Sequence, residues 1–143
     1  MPYSVQQLIE GHAKPLTVLP SDSAEKALDL MIEHAYSQLP VVDSSGRPLG
    51  MITSESILRA LSNFGVTIDA LNVSKAIDTR FRKFRPEDNM FDLLDELRDH
   101  YAALIVDGEG RLTGIVTNYD TAEYFRRRAE DIMLVEEGWI SQD

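Results

Sequence analysis

The sequence predicts a mixed α+β fold, α/β-like in its alternation of strand and helix, built from one β-α-β-β-α unit used twice. Three observations carry this. First, "VVDSSGRPLGMITSES" from Val41 aligns without a gap on "IVDGEGRLTGIVTNYD" from Ile105, an offset of 64. Second, apolar residues recur at helical spacing ahead of each copy. Third, short apolar runs bracket a turn in each copy, as paired strands do.

The elements follow in order. The first copy opens with a short strand, "LTVL" (Leu16 to Leu19), and the second with "RKFR" (Arg82 to Arg85). A Pro and an Asp then open a helix. Ala24, Ala27, Leu28 and Met31 fall at i, i+3, i+4 and i+7, and Met90, Leu93, Leu94 and Leu97 repeat that stripe. The next strand is "QLPVVD" or "AALIVD", closed by a turn at Gly46 or Gly110. The third strand is "PLGMIT" or "LTGIVT". A second helix ends each unit, with Ile57, Ala60, Leu61 and Phe64 inward in the first copy and Ala122, Phe125, Ala129 and Ile132 in the second.

One unit of about 60 residues buries too little surface alone, so the two are expected to pack sheet to sheet. Residues 1–64 form the first copy, led by the helical piece "YSVQQLIEGHAK". Residues 65–130 hold an ordered connection, "GVTIDALNVSKAID", and the second copy. Residues 131–143 are a helical extension. Ile132, Met133, Leu134, Val135, Trp139 and Ile140 make it too apolar for a free tail, so it is expected to pack on a partner chain or on the lead-in helix. The other reading is the stub of a longer protein's linker.

Composition narrows the function. There is no cysteine, which excludes disulfides, thiolate metal sites and cysteine nucleophiles. The start lacks a basic and then apolar leader, and no apolar run is long enough to span a bilayer. A soluble, cytoplasmic protein is expected. The net charge of −10 argues against nucleic acid or an anionic membrane as partner. Two basic clusters, "TRFRKFR" and "FRRR", read either as solvated charge or as an edge for a small anion. No catalytic constellation is visible. His12, His34 and His100 are scattered without metal-ligand spacing, no phosphate-binding glycine loop of the G-x-x-x-x-G-K type occurs, and no poised acid pair stands out. The expectation is a non-enzyme with no metal site and no required cofactor.

The strand–helix–"LPVVD"–turn–"GMIT"/"GIVT"–helix pattern resembles the CBS domain, named for cystathionine β-synthase, in tandem as a Bateman module. The resemblance covers roughly residues 3 to 130. It implies a pseudo-two-fold pair of repeats, disc-like homodimers, a regulated partner protein and a site for an adenosine-containing ligand such as AMP, ADP, ATP or S-adenosylmethionine.

The motif Gly-h-h-Thr-x-x-Asp falls on Gly114, Thr117 and Asp120, with Asn118 inside it. Thr117 ends a strand where a helix N-cap belongs, and the helix start favours an anion. Asp120 carries two acceptor oxygens, which suit the two hydroxyls of a ribose diol. The same spacing is also that of a capping box, and the two roles are compatible. In the first copy Ser56 replaces the acid, so one competent site is expected, on Asp120. The resemblance completes that site with Leu16, Thr17, Tyr36 and Ser37 around the adenine. It pairs Ser56 and Thr53 with Arg82, Lys83, His100 and Tyr101, the two cations meeting the phosphates of a ligand whose ribose sits on Asp120.

Overall fold

The structure is a computed structural model that describes residues 3–136. Its elements are α1 (Gln6–Ile9), α2 (Ala24–His34), β1 (Gln38–Val42), β2 (Pro48–Thr53), α3 (Ser54–Phe64), β3 (Lys83–Phe84), α4 (Met90–Glu96), β4 (Ala102–Val106), β5 (Leu112–Thr117) and α5 (Asn118–Glu136). A 3₁₀ turn at Val73–Lys75 lies in the connection.

The two copies fold alike. β1 pairs antiparallel with β2, and β4 with β5, each with a register shift at the same place, Val41/Val42 and Ile105/Val106. Both turns are fixed by an aspartate. Asp43 Oδ1 accepts from the Ser45 and Arg47 N–H groups, and Asp107 Oδ1 from those of Glu109 and Arg111. Gly46 and Gly110 then take φ of 87° and 83°, which a side chain disfavours.

The opening strands are shorter than expected. "LTVL" contributes one parallel bridge, Val18 to Val41, and "RKFR" a two-residue strand, β3, parallel to β4. Pro15 and Pro20 flank the first segment and limit its ladder.

Strand alternation sorts the side chains into three apolar layers. Leu39, Val41 and Ile52 meet α2, α3 and the connection. Ala103, Ile105 and Val116 meet α1 and α4. Between the sheets lie Val42 and Met51 from one copy and Ala102, Leu104 and Leu112 from the other. The helix stripes of α2 and α4 are as expected, with Ala24, Ala27 and Met31, and Met90, Leu93 and Leu97, buried.

The second helices differ from expectation. Phe64 is exposed, as are Ala122, Phe125, Ala129 and Ile132. The inward residues of α5 are Thr121 and, partly, Tyr124. These occupy the positions of Ile57 and Ala60 at the offset of 64. Thr121 is buried without loss because its hydroxyl donates to the Asn118 carbonyl at 2.9 Å. A polar residue on the core face concealed the true stripe.

Each repeat is closed by the segment that leads into the other. The Ala24 N–H donates to Leu71 O, Val73 N–H to Asp22 O and Ser74 N–H to Pro20 O, at 2.7–3.0 Å. The second repeat repeats the clasp: Met90 N–H to Tyr3 O, Val5 N–H to Asp88 O and Gln6 N–H to Pro86 O, at 2.8–2.9 Å. Leu71, Val73 and Ala76 therefore sit in the first core, and Val5 and Leu8 in the second. The lead-in helix precedes the first copy in the chain but packs on the second. Beyond the clasp, Met51 and Asp78 exchange both backbone hydrogen bonds, at 2.9 and 2.8 Å. Gly50 lets the connection approach, for a Cβ there would lie 2.5 Å from the Asp78 carbonyl.

The turns also interlock. Leu112 N–H donates to Gly46 O at 2.9 Å. The symmetric bond is ruled out because Pro48 has no N–H. Arg47 Nε donates to Glu109 O at 3.0 Å on that side.

Helix α5 runs to Glu136; the rest of the expected extension, with Trp139 and Ile140, lies outside the described residues. No helix among the described residues is long and apolar enough to cross a membrane.

Candidate functional site

Each third strand ends in a threonine that caps the following helix. Thr53 and Ser56 form a reciprocal cap: Ser56 N–H donates to Thr53 Oγ1 and Thr53 N–H to Ser56 Oγ, both at 2.9 Å. The Ser56 hydroxyl also donates to the Thr53 carbonyl at 3.0 Å, and the residue is buried.

Thr117 and Asp120 repeat the arrangement with a carboxylate. The Thr117 N–H donates to Asp120 Oδ2 at 2.8 Å, its hydroxyl does so at 3.0 Å, and the Asp120 N–H donates to Thr117 Oγ1 at 3.3 Å. Capping uses one oxygen, Oδ2. Oδ1 takes no hydrogen bond from another described residue, and Asp120 is half-buried at the positive end of a helix of 19 residues.

The other expected residues are placed as follows. Asn118 is exposed and its Nδ2 donates to Leu97 O at 3.5 Å, tying α5 to the end of α4. Leu16 packs against the first core, and Thr17 beside it is half-buried. Tyr36 and Ser37 are exposed just before β1, and the Tyr36 ring stacks on His34 at 5.5 Å. No hydrogen bond joins this group to Thr117, Asn118 or Asp120 among the described residues. Arg82 lies over the Phe84 ring at 4.7 Å, and Lys83 is exposed on β3.

A cleft of about 140 Å³ opens on the Ser56 side, between the repeats. The first copy gives it Gln38, Met51, Thr53, Glu55, Ser56 and Arg59, the connection Asp78 and Arg80, and the second copy Asp99, His100, Tyr101 and Ala102. Thr53, Ser56, His100 and Tyr101 are thus brought together as the resemblance implied. The cations at this cleft are Arg59 and Arg80; Arg82 and Lys83 do not line it. A second hollow of about 240 Å³ adjoins it under α3, against Lys75 and Thr79.

Both lining arginines are already engaged. Arg59 pairs with Glu55 at 2.7 Å, and Arg80 with Asp78 at 2.9 Å. The Arg80 guanidinium, followed by its backbone N–H, holds the Asp78 carboxyl below its ordinary value. His100 Nδ1 is buried 3.5 Å from Glu96 Oε1. Sequence reasoning missed Gln38, Arg59, Asp78 and Arg80. Gln38 had a readable signal: it is polar where the sister strand has Ala102. No group of three or more His, Asp and Glu among the described residues is arranged to hold a metal ion.

Two interlocked β-α-β-β-α units with a capped helix start at the end of each third strand define a paired-repeat module. The chain belongs to the CBS-domain family, whose pattern matches residues 9–63 and 73–127. It is 29% identical over 129 residues to cystathionine beta-synthase of Oryctolagus cuniculus, covering 82% of this chain and 23% of that protein. It is 30% identical over 114 residues to L-aspartate semialdehyde sulfurtransferase of Methanocaldococcus jannaschii, covering 78% and 21%. The chain thus spans less than a quarter of these curated relatives. Among solved structures, a CBS-domain containing protein from Agrobacterium tumefaciens has a TM-score of 0.72 at 21% identity, over 87% of this chain and 94% of that one. CbpB in complex with c-di-AMP has a TM-score of 0.72 at 13% identity, over 83% and 81%. These two likenesses support the fold.

Proposed function

We propose that the chain is a regulatory module that binds an adenosine-containing ligand, with the ribose diol on Asp120. It acts by binding and not by catalysis. The observation that carries this reading is the half-used carboxylate: Oδ2 is spent on the cap and Oδ1 is left to accept from a ligand. Charge-assisted bonds to a diol are each worth roughly 1.5–3 kcal/mol. The fold likeness to CbpB, whose structure contains c-di-AMP, supports an adenine nucleotide as the class. A ligand between the repeats regulates only if it prefers one arrangement of them, and the signal then passes to a partner protein or a dimer mate.

The test is calorimetric titration of AMP, ADP, ATP and S-adenosylmethionine. At least one is expected to bind, and Asp120→Ala to weaken it by at least roughly tenfold. Absence of binding at millimolar concentration refutes the reading.

A constitutive homodimerisation module is the second reading. It is favoured by the apolar outer faces of α3 and α5, where Leu58, Phe64, Tyr119 and Phe125 are exposed. Its mark is a dimer whose mass and melting temperature ignore every nucleotide.

A further inference from the structure

We propose that residues 10–14 are a strap, held back by a turn at Gly11, that closes on the open edge of β5 at Ile115. Closing carries Glu10 and His12 to the Asp120 side of the module.

The first repeat supplies the template. There the connection lies along β2, where Met51 and Asp78 exchange both backbone hydrogen bonds. The two ladders share one register, with Pro40 opposite Met51 and Leu104 opposite Ile115. The Ile115 N–H and C=O therefore point to the outer edge, as those of Met51 do. No bridge or backbone hydrogen bond on that edge reaches Ile115 among the described residues.

The strap starts in the right place. Ile9 lies against Gly114 as Ile77 lies against Gly50, at 3.5 and 2.4 Å from where a Cβ would stand. Asp78 follows Ile77 along β2, so Glu10, following Ile9, stands at the mouth of the open edge. The chain then turns off. Glu10 has φ −59° and ψ 125°, Gly11 has φ 81°, and the His12 N–H donates to Ile9 O at 3.0 Å. That is a type II turn, which favours glycine at its third position. Thr79 holds the same place in the connection. The lead-in is also longer. Val18 and Phe84 pair at matching places, with Val41 and Ile105, yet Ile9 is two residues farther from Val18 than Ile77 is from Phe84. The turn takes up that spare length.

Little holds the strap open. Residues 10–14 are exposed, and a Cβ on Gly11 would meet nothing within 4 Å. The side chains of Glu10, His12 and Lys14 make no hydrogen bond or ion pair with another described residue. Closing exchanges the turn bond for the pair that Met51 and Asp78 make. A tethered segment does this at high effective concentration, which favours the strap over a strand from another molecule. The closed strap sets Glu10 and His12 where Asp78 and Arg80 stand at the Ser56 cleft. It walls the Asp120 side with an acid and an imidazole. Contact of that wall with a ligand rests on the Asp120 reading; the closing itself does not.

The experiment is amide hydrogen exchange by NMR on the full chain without ligand, with Met51 as internal reference. The Ile115 amide is expected to exchange at least roughly tenfold faster than that of Met51. Gly11→Val opposes the turn, since a β-branched residue avoids positive φ. It is expected to slow Ile115 exchange by at least roughly tenfold and to leave Met51 unchanged. Gly11→Ala should act in the same direction and covers the case in which valine disturbs folding. The proposal falls if Ile115 and Met51 are equally protected in the parent chain, or if the folded Gly11 variants leave Ile115 exchange unchanged. Protection of Ile115 that grows with protein concentration gives the edge to a second copy and also overturns it. Should the Asp120 reading alone be wrong, AMP, ADP, ATP and S-adenosylmethionine will fail to bind while the Gly11→Val protection still appears, which supports the strap.

Discussion

Ser56 and Thr53 satisfy each other: the Ser56 hydroxyl accepts from the Thr53 N–H at 2.9 Å and donates to the Thr53 carbonyl at 3.0 Å. The serine is therefore a structural cap. Ser56→Ala should cost about 1 kcal/mol of stability, in the range of a lost helix cap. Urea denaturation measures it. Ligand affinity on the Asp120 side should not change, and a change there would contradict separate roles for the two repeats.

Gly50 and Gly114 are equivalent in sequence but not in surroundings. A Cβ at Gly50 would meet Ile77 Cγ2 at 2.4 Å and Asp78 O at 2.5 Å, whereas one at Gly114 meets Ile105 and Ile9 at 3.4–3.5 Å. Gly50→Ala should destabilise by roughly 1–3 kcal/mol through forced movement of the Ile77–Asp78 backbone. Gly114→Ala should cost much less. Equal shifts in melting temperature would refute the difference.

Asp43 and Asp107 link stability to acid. The Ser45 hydroxyl, then the Arg47 N–H, holds the Asp43 carboxyl below its ordinary value of 3.8. Asp107 is held low first by the Arg111 N–H. A carboxyl depressed in the folded state adds stability that is full above its unfolded value and is lost as pH falls through the folded one. The melting temperature should therefore drop below about pH 4. The double variant Asp43→Asn, Asp107→Asn should show a shallower drop, and an unchanged profile would show that these turns do not contribute.

The swapped lead-ins predict damage far from its position in the chain. Leu71 precedes the second repeat but is buried in the first core. Leu71→Ala should cost about 2–5 kcal/mol. Hydrogen exchange should rise first in α2 and β1, ahead of α4 and β4. Val5→Ala should do the reverse, since Val5 fills the second core.

Much of this was legible because two copies check one another. The strands "PLGMIT" and "LTGIVT" are β2 and β5 to the residue, and the α2 and α4 stripes are the buried ones. The inward face of α5 was misread because Thr121 looks polar until its bond to Asn118 is seen. The offset of 64 to Ile57 would have located it. Thr117 and Asp120 were legible as a pair, since their spacing sets their contact. The cleft beside Ser56 was legible in part, since the resemblance named Thr53, Ser56, His100 and Tyr101; its cations, Arg59 and Arg80, were not, because which of them reach it depends on how the connection packs. The swap of the lead-ins was equally hidden, for local spacing does not tell which core a connection will join.

That swap has a consequence for synthesis. The first repeat leaves the ribosome with its core open, since Leu71, Val73 and Ala76 have yet to emerge. The second meets a closing segment that has already been made, because Val5 and Leu8 precede it in the chain. The early half of the chain is thus the exposed one during elongation, and the late half can seal as soon as it appears.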